Sequence, residues 1–458
     1  MAGGAASREV GEASSVQTER GVALRRQAAA GQPAARASQP SRTVIGMRVP
    51  RFSTATRPFD HNRAHGPHSA EQCTHLLEVF LRTAPASAKS ARANERVTYL
   101  DALRGLAATS VVIGHYFAAY GNPPGLPAFV MNSPFAVICD GFAAVSFFFV
   151  LSGFVLSMRY FRDPDFLRTR FSYGEYAVAR IFRIWGPFAV VFLLSFAVHE
   201  YWSVAASSPG TMSAWLAGFW REQLTFRQAL TELSLVLPPQ IHQTLPQAWT
   251  LSIELSLSLF IPVAVMIALR RLRWLVAVVA YLIVVMGASR YLFHFMLGIC
   301  LCSVWVTRRH WIESIPATGR LAGWIAAAIL YSYRFSVVPY APHALPEQRI
   351  WYVTGVGSLM ILALVLVSPR LQAVLLFRPL RHLGQCAYSI YLVHFTILLA
   401  ASPRVMQFLI DRLHVPSTPA WAAGLVFLLA ATFGVSHVSE RWLERPCIAA
   451  GKWVAAKL

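Results

Sequence analysis

Charged residues are scarce in this sequence: Asp, Glu, Lys and Arg make up only 14% of its 458 residues, against roughly 25% in soluble domains. With 55% apolar residues and a mean hydropathy of +0.47, that scarcity excludes a soluble globular protein of this length. Acidic residues are scarcer still, 21 against 41 Lys and Arg, which leaves a net charge of +20. The basic excess does not signal nucleic acid, because the basic residues lie between apolar runs, where they orient a membrane protein. The six cysteines (Cys73, Cys139, Cys300, Cys302, Cys386, Cys447) are scattered without ligand spacing, so neither disulfides nor a metal are expected. Cys300 and Cys302 would point to different sides of a helix and read as buried thiols. Internal repeats and a soluble catalytic domain are also missing.

Residues 1–95 are rich in Ala, Ser, Arg, Gln and Pro, with no acidic residue between Gly21 and Phe59, and predict a disordered, basic cytoplasmic tail. No apolar h-region precedes a small-residue cleavage site, which speaks against a secretory signal. A translation start at Met47 and a short helix around Glu71 to Thr83 are compatible readings.

From Thr98 onward apolar stretches recur near the roughly 20 residues that cross a bilayer, at 99–120, 136–158, 176–202, 247–269, 274–288, 291–307, 319–337, 350–368, 386–402 and 418–439. They predict an all-α polytopic bundle of about ten spans over residues 96–446, followed by a short cytoplasmic tail, 447–458. The fifth and sixth stretches are short enough for a re-entrant pair. Alternate connections differ in charge as the positive-inside rule requires. One set holds Arg159, Arg162, Arg168 and Arg170, the Arg270–Arg273 cluster, Arg308 and Arg309, and Arg441 and Arg445, whereas the other is sparsely basic. Both termini are therefore expected in the cytoplasm. The longest outer connection, 203–247, has Trp215 and Trp220 and suggests an interfacial helix.

Ionisable groups within apolar spans are functional candidates by default. Arg104 and His115 in the first span are eleven residues apart, a rise of about 16 Å and a net rotation of about 20° on a helix, so both leave one face. Arg104 could snorkel or pair with Asp101; His115 could be a base, a relay or a packing residue. Ser152, in the run Ser146 to Phe154, could be a nucleophile, with small-residue packing beside Gly153 the favoured reading. Arg180 and Arg183 share a face and suit phosphate oxygens. Glu254 sits a few residues inside the fourth span and needs a partner, for which His115 or Arg290 would serve. Tyr391 and His394 share a face, with hydrogen bonding at least as good a reading as chemistry. Glu440, Glu444 and Arg445 read as surface pairs.

Five of these pieces resemble, in order, acyltransferase family 3, the multi-pass membrane acyltransferases of surface glycans: Arg104 with His115, the run 147–154, the Arg180/Arg183 pair, the WTLSIE segment at 249–254 and the segment 388–395. Ser146 and Leu255 depart from the family, standing where acidic residues are common. No appended esterase-like domain is expected after the last span.

The resemblance implies an acyl-CoA donor, acetyl-CoA by preference, arriving from the cytoplasm and held by Arg104, Arg180 and Arg183, with no tightly bound cofactor. It also implies an acceptor hydroxyl on a polysaccharide, lipopolysaccharide or glycolipid, a bacterial inner-membrane location, and possible glycan-assembly partner proteins. His115 would act as base or transient acyl carrier, with Glu254 orienting it. A proton-coupled transporter or lipid-linked glycan flippase, with His115, Glu254 and His394 as a relay, is the alternative. The lack of repeats and of broken central helices counts against it.

Overall fold

A computed structural model of the chain describes residues 86–458 apart from 202–211, 221–223 and 236–242, with side chains from Thr98. The chain divides into two units, 1–78 and 79–458; all described residues belong to the second. The expected tail over 1–85 and the short helix at 71–83 lie outside the described residues. The described segments are helical, with no strand among them.

Each of the ten apolar stretches contains a helix. In chain order these are α1 (Ala86–Tyr120), α2 (Gly141–Arg162), α3 (Tyr173–Tyr201), then α4 (Phe226–Ser234) in the long outer connection, α5 (Ala248–Arg270), α6 (Leu272–Val284) and α7 (Tyr291–Thr307). The series continues with α8 (Ala317–Tyr331), α9 (Glu347–Leu366), α10 (Arg378–Gln385), α11 (Ala387–Ala400), α12 (Ser417–Ser439) and α13 (Arg445–Ala455). Five helices among the described residues are long and apolar enough to cross a membrane, and six if the bent pair α10 and α11 counts as one span. The 13 residues of α6 extend only about 20 Å at 1.5 Å per residue, short of the ~30 Å hydrocarbon core. The chain is thus a multi-pass helical membrane protein whose span count depends on how the short helices are treated.

Local sequence explains the boundaries. α1 starts at Ala86, within the stretch expected to be an irregular tail. α2 starts later than its apolar run because Pro134–Ile138 forms a 3-10 turn, and Asp140 then caps the helix, its carboxylate accepting from Ala143 N at 2.9 Å. Asp140 satisfies a donor that would otherwise be orphaned. Between α10 and α11 the axis bends by 70° at Cys386, so the expectation of unbroken central helices does not hold. α12 continues into α13 through a π-helical turn, Glu440–Glu444.

Two glycine crossings set the packing. A Cβ on Gly153 or on Gly298 would overlap backbone atoms of the facing helix, Phe295 on α7 and Val150 on α2 respectively. Gly105 of α1 and Gly384 of α10 meet the same way, against the backbones of Leu383 and Asp101. Small residues let helix backbones approach closely where lipid supplies no hydrophobic drive between helices. The buried apolar core lies along α2, α5 and α7, with Leu151, Phe154, Val265 and Phe295 at most 2% exposed.

Candidate active site

Two cavities penetrate the bundle and share a wall. The first, of about 240 Å³, is lined by Asp101 and Arg104 of α1, Ser152 of α2, Arg180 and Arg183 of α3, and Glu254 of α5. Gly384, Gln385, Ala387 and Tyr388 at the α10–α11 elbow, and Glu440 and Glu444 of the π turn, complete it. The second, of about 600 Å³, is lined by His115, Asp140, Trp215, Phe219, Gln247, Trp249, Arg334 and Phe395 among others. Val145 and Tyr391 line both cavities. The eleven-residue spacing on α1 therefore places Arg104 in an arginine chamber and His115 in an aromatic chamber.

In the arginine chamber most carboxylates are already engaged. Asp101 pairs with Arg104 at 3.1 Å, Glu440 with Arg445 at 2.6 Å, and Ser389 Oγ donates to Glu444 at 3.1 Å. Arg104 thus does pair with Asp101 and still faces the cavity. Glu254 lines the same cavity as Arg104 and Arg180. Arg180 Nε is a buried donor with no acceptor, and a buried unsatisfied donor normally costs about 1–3 kcal/mol. The Arg180 side chain lines the cavity in that state, and a guanidinium suits oxygen-rich anions. Ser152 is 4% exposed on the helix face next to the Gly153 crossing, where its packing reading and its cavity position coexist.

The pair Glu440 and Glu444, expected at the surface, is buried. The π turn is the cause: at more than four residues per turn, Glu440 and Arg445 align at i, i+5, and both carboxylates rotate toward the chamber. Their four-residue spacing at the end of the last apolar run was visible in the sequence; the extra residue in the turn was not.

In the aromatic chamber His115 Nδ1 lies 2.9 Å from His394 Nε2. His394 Nδ1 is 2.7 Å from the carbonyl of Tyr391 and 3.2 Å from that of Ile390. A carbonyl only accepts, so His394 Nδ1 holds the proton, and Nε2 of the neutral ring presents a lone pair. His115 Nδ1 then donates, which leaves its Nε2 unprotonated and basic. The ring of His115 also packs against Trp215 at 5.8 Å and edge-on against Phe395 at 4.9 Å. Glu254, expected to orient His115, lines the other chamber instead, and that place is taken by His394. Nor is Arg290 the partner of Glu254: its guanidinium stands over the Trp351 ring at 5.1 Å, beside a separate surface cavity.

Tyr391 is fixed at the shared wall from both ends. Its hydroxyl is 2.5 Å from Thr250 Oγ1 and donates to Gln247 O at 3.2 Å, and its carbonyl holds His394. Gln247 Nε2 donates to Leu392 O at 2.8 Å. Thr250 and Gln247 are site residues that polarity alone did not single out, since neither is ionisable. The tryptophans expected at the membrane interface turn inward: Trp215 covers His115, and Trp220 is 1% exposed with its indole N–H donating to Thr244 O. Both indoles find partners inside the protein, and the helix of this connection, α4, forms further along.

The site is thus a multi-pass helical bundle with an arginine-lined chamber, an aromatic chamber and a histidine pair against their common wall. Residues 97–437 match the family described as an acyltransferase domain, acyltransferase family 3, and the chain belongs to that family. It is also similar to the peptidoglycan O-acetyltransferase OatA of Listeria monocytogenes serovar 1/2a, 26% identical over 164 residues, which is 35% of this chain and 24% of that relative. The match thus spans about a quarter of the relative's length. No solved structure matches the chain.

Proposed function

We propose that this acyltransferase carries an acyl group, acetyl by preference, from acyl-CoA in the arginine chamber to a hydroxyl of a carbohydrate or glycolipid acceptor in the aromatic chamber. The observation that carries the reading is the unpaired Arg180 Nε in a cavity whose other boundary, Tyr391, also walls the histidine chamber. CoA phosphates would satisfy Arg180 and Arg183, with Arg104 adding charge where low dielectric strengthens the attraction. At about 240 Å³ the chamber is below the usual ~300–1,000 Å³ of ligand sites, so the thioester arm enters and the adenosine end stays outside. The aromatic chamber, at about 600 Å³, has room for an acceptor and offers Trp215, Trp249 and Phe219 as faces for a sugar ring.

In the transfer step, His115 Nε2 removes the acceptor hydroxyl proton as the oxygen attacks the thioester carbonyl. The C–S bond then breaks, and the proton held on His115 goes to the departing thiolate of CoA. His394 accepts from His115 Nδ1 throughout and stabilises the imidazolium, the place a carboxylate occupies in a triad. Glu254 tunes the donor chamber through Arg104 and Arg180. A donor chamber on the cytoplasmic side of a bacterial inner membrane is the orientation that the arginine-rich connections support, and similarity to a peptidoglycan O-acetyltransferase supports a cell-envelope glycan as acceptor.

Membranes containing the protein, supplied with labelled acetyl-CoA, are expected to transfer label to a glycan fraction from which mild alkali releases it. His115→Ala should abolish the transfer. The combined change of Arg180→Ala and Arg183→Ala should weaken acyl-CoA binding by at least tenfold, about 1.4 kcal/mol, without altering acceptor preference. Unchanged CoA affinity in calorimetry would remove the donor-site assignment, and solute movement without CoA binding would support a transporter.

A further inference from the structure

A second side-chain cluster stands outside the transfer site. His382 of α10, Cys386 at the bend and His437 in the last turn of α12 bring two imidazoles and a thiol together, with their ligand atoms all within 4.8 Å of one another. Cys386 Sγ lies 3.9 Å from His382 Nε2, and the rings of His382 and His437 are 5.0 Å apart. Tetrahedral zinc, with Zn–S near 2.3 Å and Zn–N near 2.0–2.1 Å, sets its ligand atoms about 3.3–3.6 Å apart. Closing the cluster takes a few tenths of an ångström on the first edge and at most about 1.5 Å elsewhere. Both histidines are exposed and can rotate, whereas Cys386 is buried and fixes the point on which they converge.

The backbone already presents the ligands. Cys386 N donates to His382 O at 3.1 Å, so the two residues sit one helical turn apart, and the third ligand comes from another helix. Thiolate and imidazole are both zinc ligands, and three protein ligands leave the fourth tetrahedral position open. We propose that His382, Cys386 and His437 bind Zn²⁺, with water as the fourth ligand. None of the three lines the arginine chamber, but Gly384, Gln385, Ala387 and Glu440 do. A metal here would clamp the 70° elbow to α12 and hold that wall of the donor chamber in place. Sequence spacing could not reveal the site, because only two of its three ligands are near neighbours in the chain.

The test uses the full chain in detergent micelles, purified through a tag without histidine, stripped with a chelator and titrated with Co²⁺. Wild type is expected to bind one equivalent, with a tetrahedral ligand-field spectrum and a thiolate-to-cobalt charge-transfer band, both displaced by Zn²⁺. Cys386→Ser should lose the charge-transfer band, and His437→Ala should lower the affinity at least ~10-fold, in line with the cost of disturbing a metal site. Absence of the band in wild type, or its persistence in Cys386→Ser, would overturn the proposal. If Cys386→Ser does not fold, the exposed His437→Ala decides: unchanged Co²⁺ affinity refutes the site.

Discussion

Replacing His394 isolates what the histidine pair contributes. The ring is fully buried and lines neither chamber, so in the proposed transfer it would act through His115 as a positioning residue. His394→Ala removes the acceptor facing His115 Nδ1, and the imidazole can then protonate on either nitrogen. The ring itself stays seated, because Trp215 and Phe395 hold its faces and edge. What is lost is one buried hydrogen bond and the tautomer it fixes, about 1–3 kcal/mol, or a fall in kcat of about 5- to 150-fold at 1.36 kcal/mol per decade. That is far less than the roughly 10⁴-fold seen when a triad carboxylate is neutralised, since in the proposed mechanism a neutral ring takes the carboxylate's place. His394→Gln can place its side-chain oxygen to accept from Nδ1, and should recover activity to within about tenfold of wild type. The assay is acyl transfer from labelled acetyl-CoA at saturating donor, with KM for acyl-CoA expected to stay unchanged in both variants. Equal kcat losses in the Ala and Gln variants, at matched thermal stability, would refute the tautomer argument. Wild-type kcat in His394→Ala would remove the pair from the mechanism altogether.

Three further outcomes follow from the packing and the polar contacts. Tyr391→Ala opens the common wall, so acyl-CoA hydrolysis should rise relative to transfer, measured as free acetate against glycan ester; an unchanged ratio would mean that Tyr391 does not separate the chambers. Gly298→Ala drives a methyl into the backbone of α2 at Val150 and should cost roughly 1–3 kcal/mol as overpacking, whereas Gly434→Ala, with nothing within 4 Å, should be neutral or slightly stabilising; both are read as shifts in melting temperature. Glu232 of α4 is 3% exposed and accepts from Gln243 N and Thr244 N. Burial raises its pKa despite the two amide donors that lower it. A folded-state pKa above the unfolded value gives stability that is complete below the ordinary glutamate range and lost as pH rises through the raised value. Glu232→Gln should therefore flatten that alkaline loss and lower the melting temperature by a pH-independent amount, because one amide loses its acceptor; an unaltered pH slope would show that Glu232 does not set it.

Much of the helical layout was legible, because crossing a bilayer forces long apolar runs that composition reveals directly. Tyr291–Thr307 coincides with its apolar run, and most other helix ends differ by a few residues, where prolines and caps decide. The common face of Arg104 and His115 was legible too, since it depends only on helical period. What the sequence hid was pairing between helices: Glu254 and His394 are both ionisable groups within spans, and only the crossing of α11 with α1 decides which one meets His115. Likewise, the π turn that buries Glu440 and Glu444 changes the local period by one residue, and a 3.6-residue reading cannot anticipate it. Trp215 and Trp220 looked interfacial because amphipathic indoles favour that zone, but partners supplied by the fold drew them inward.

The two ends of the site are aligned by one helix contact. α1 fixes the separation of Arg104 and His115 at about 16 Å by its rise alone, but each residue depends on the α10–α11 unit for its surroundings. At one end Gly105 and Gly384 abut, which brings the elbow residues Gln385, Ala387 and Tyr388 into the chamber of Arg104. At the other end His394 meets His115. The glycine crossing admits no Cβ on either partner and so fixes the register between the helices. A slip of one residue there would turn α10 by about 100° about its axis, disturbing the chamber wall and displacing the elbow from which α11 carries His394 to His115. The crossing thus bears on the tautomer of His115 through the His394 contact it positions, and the proposed donor and transfer sites stay aligned only while both glycines stay bare.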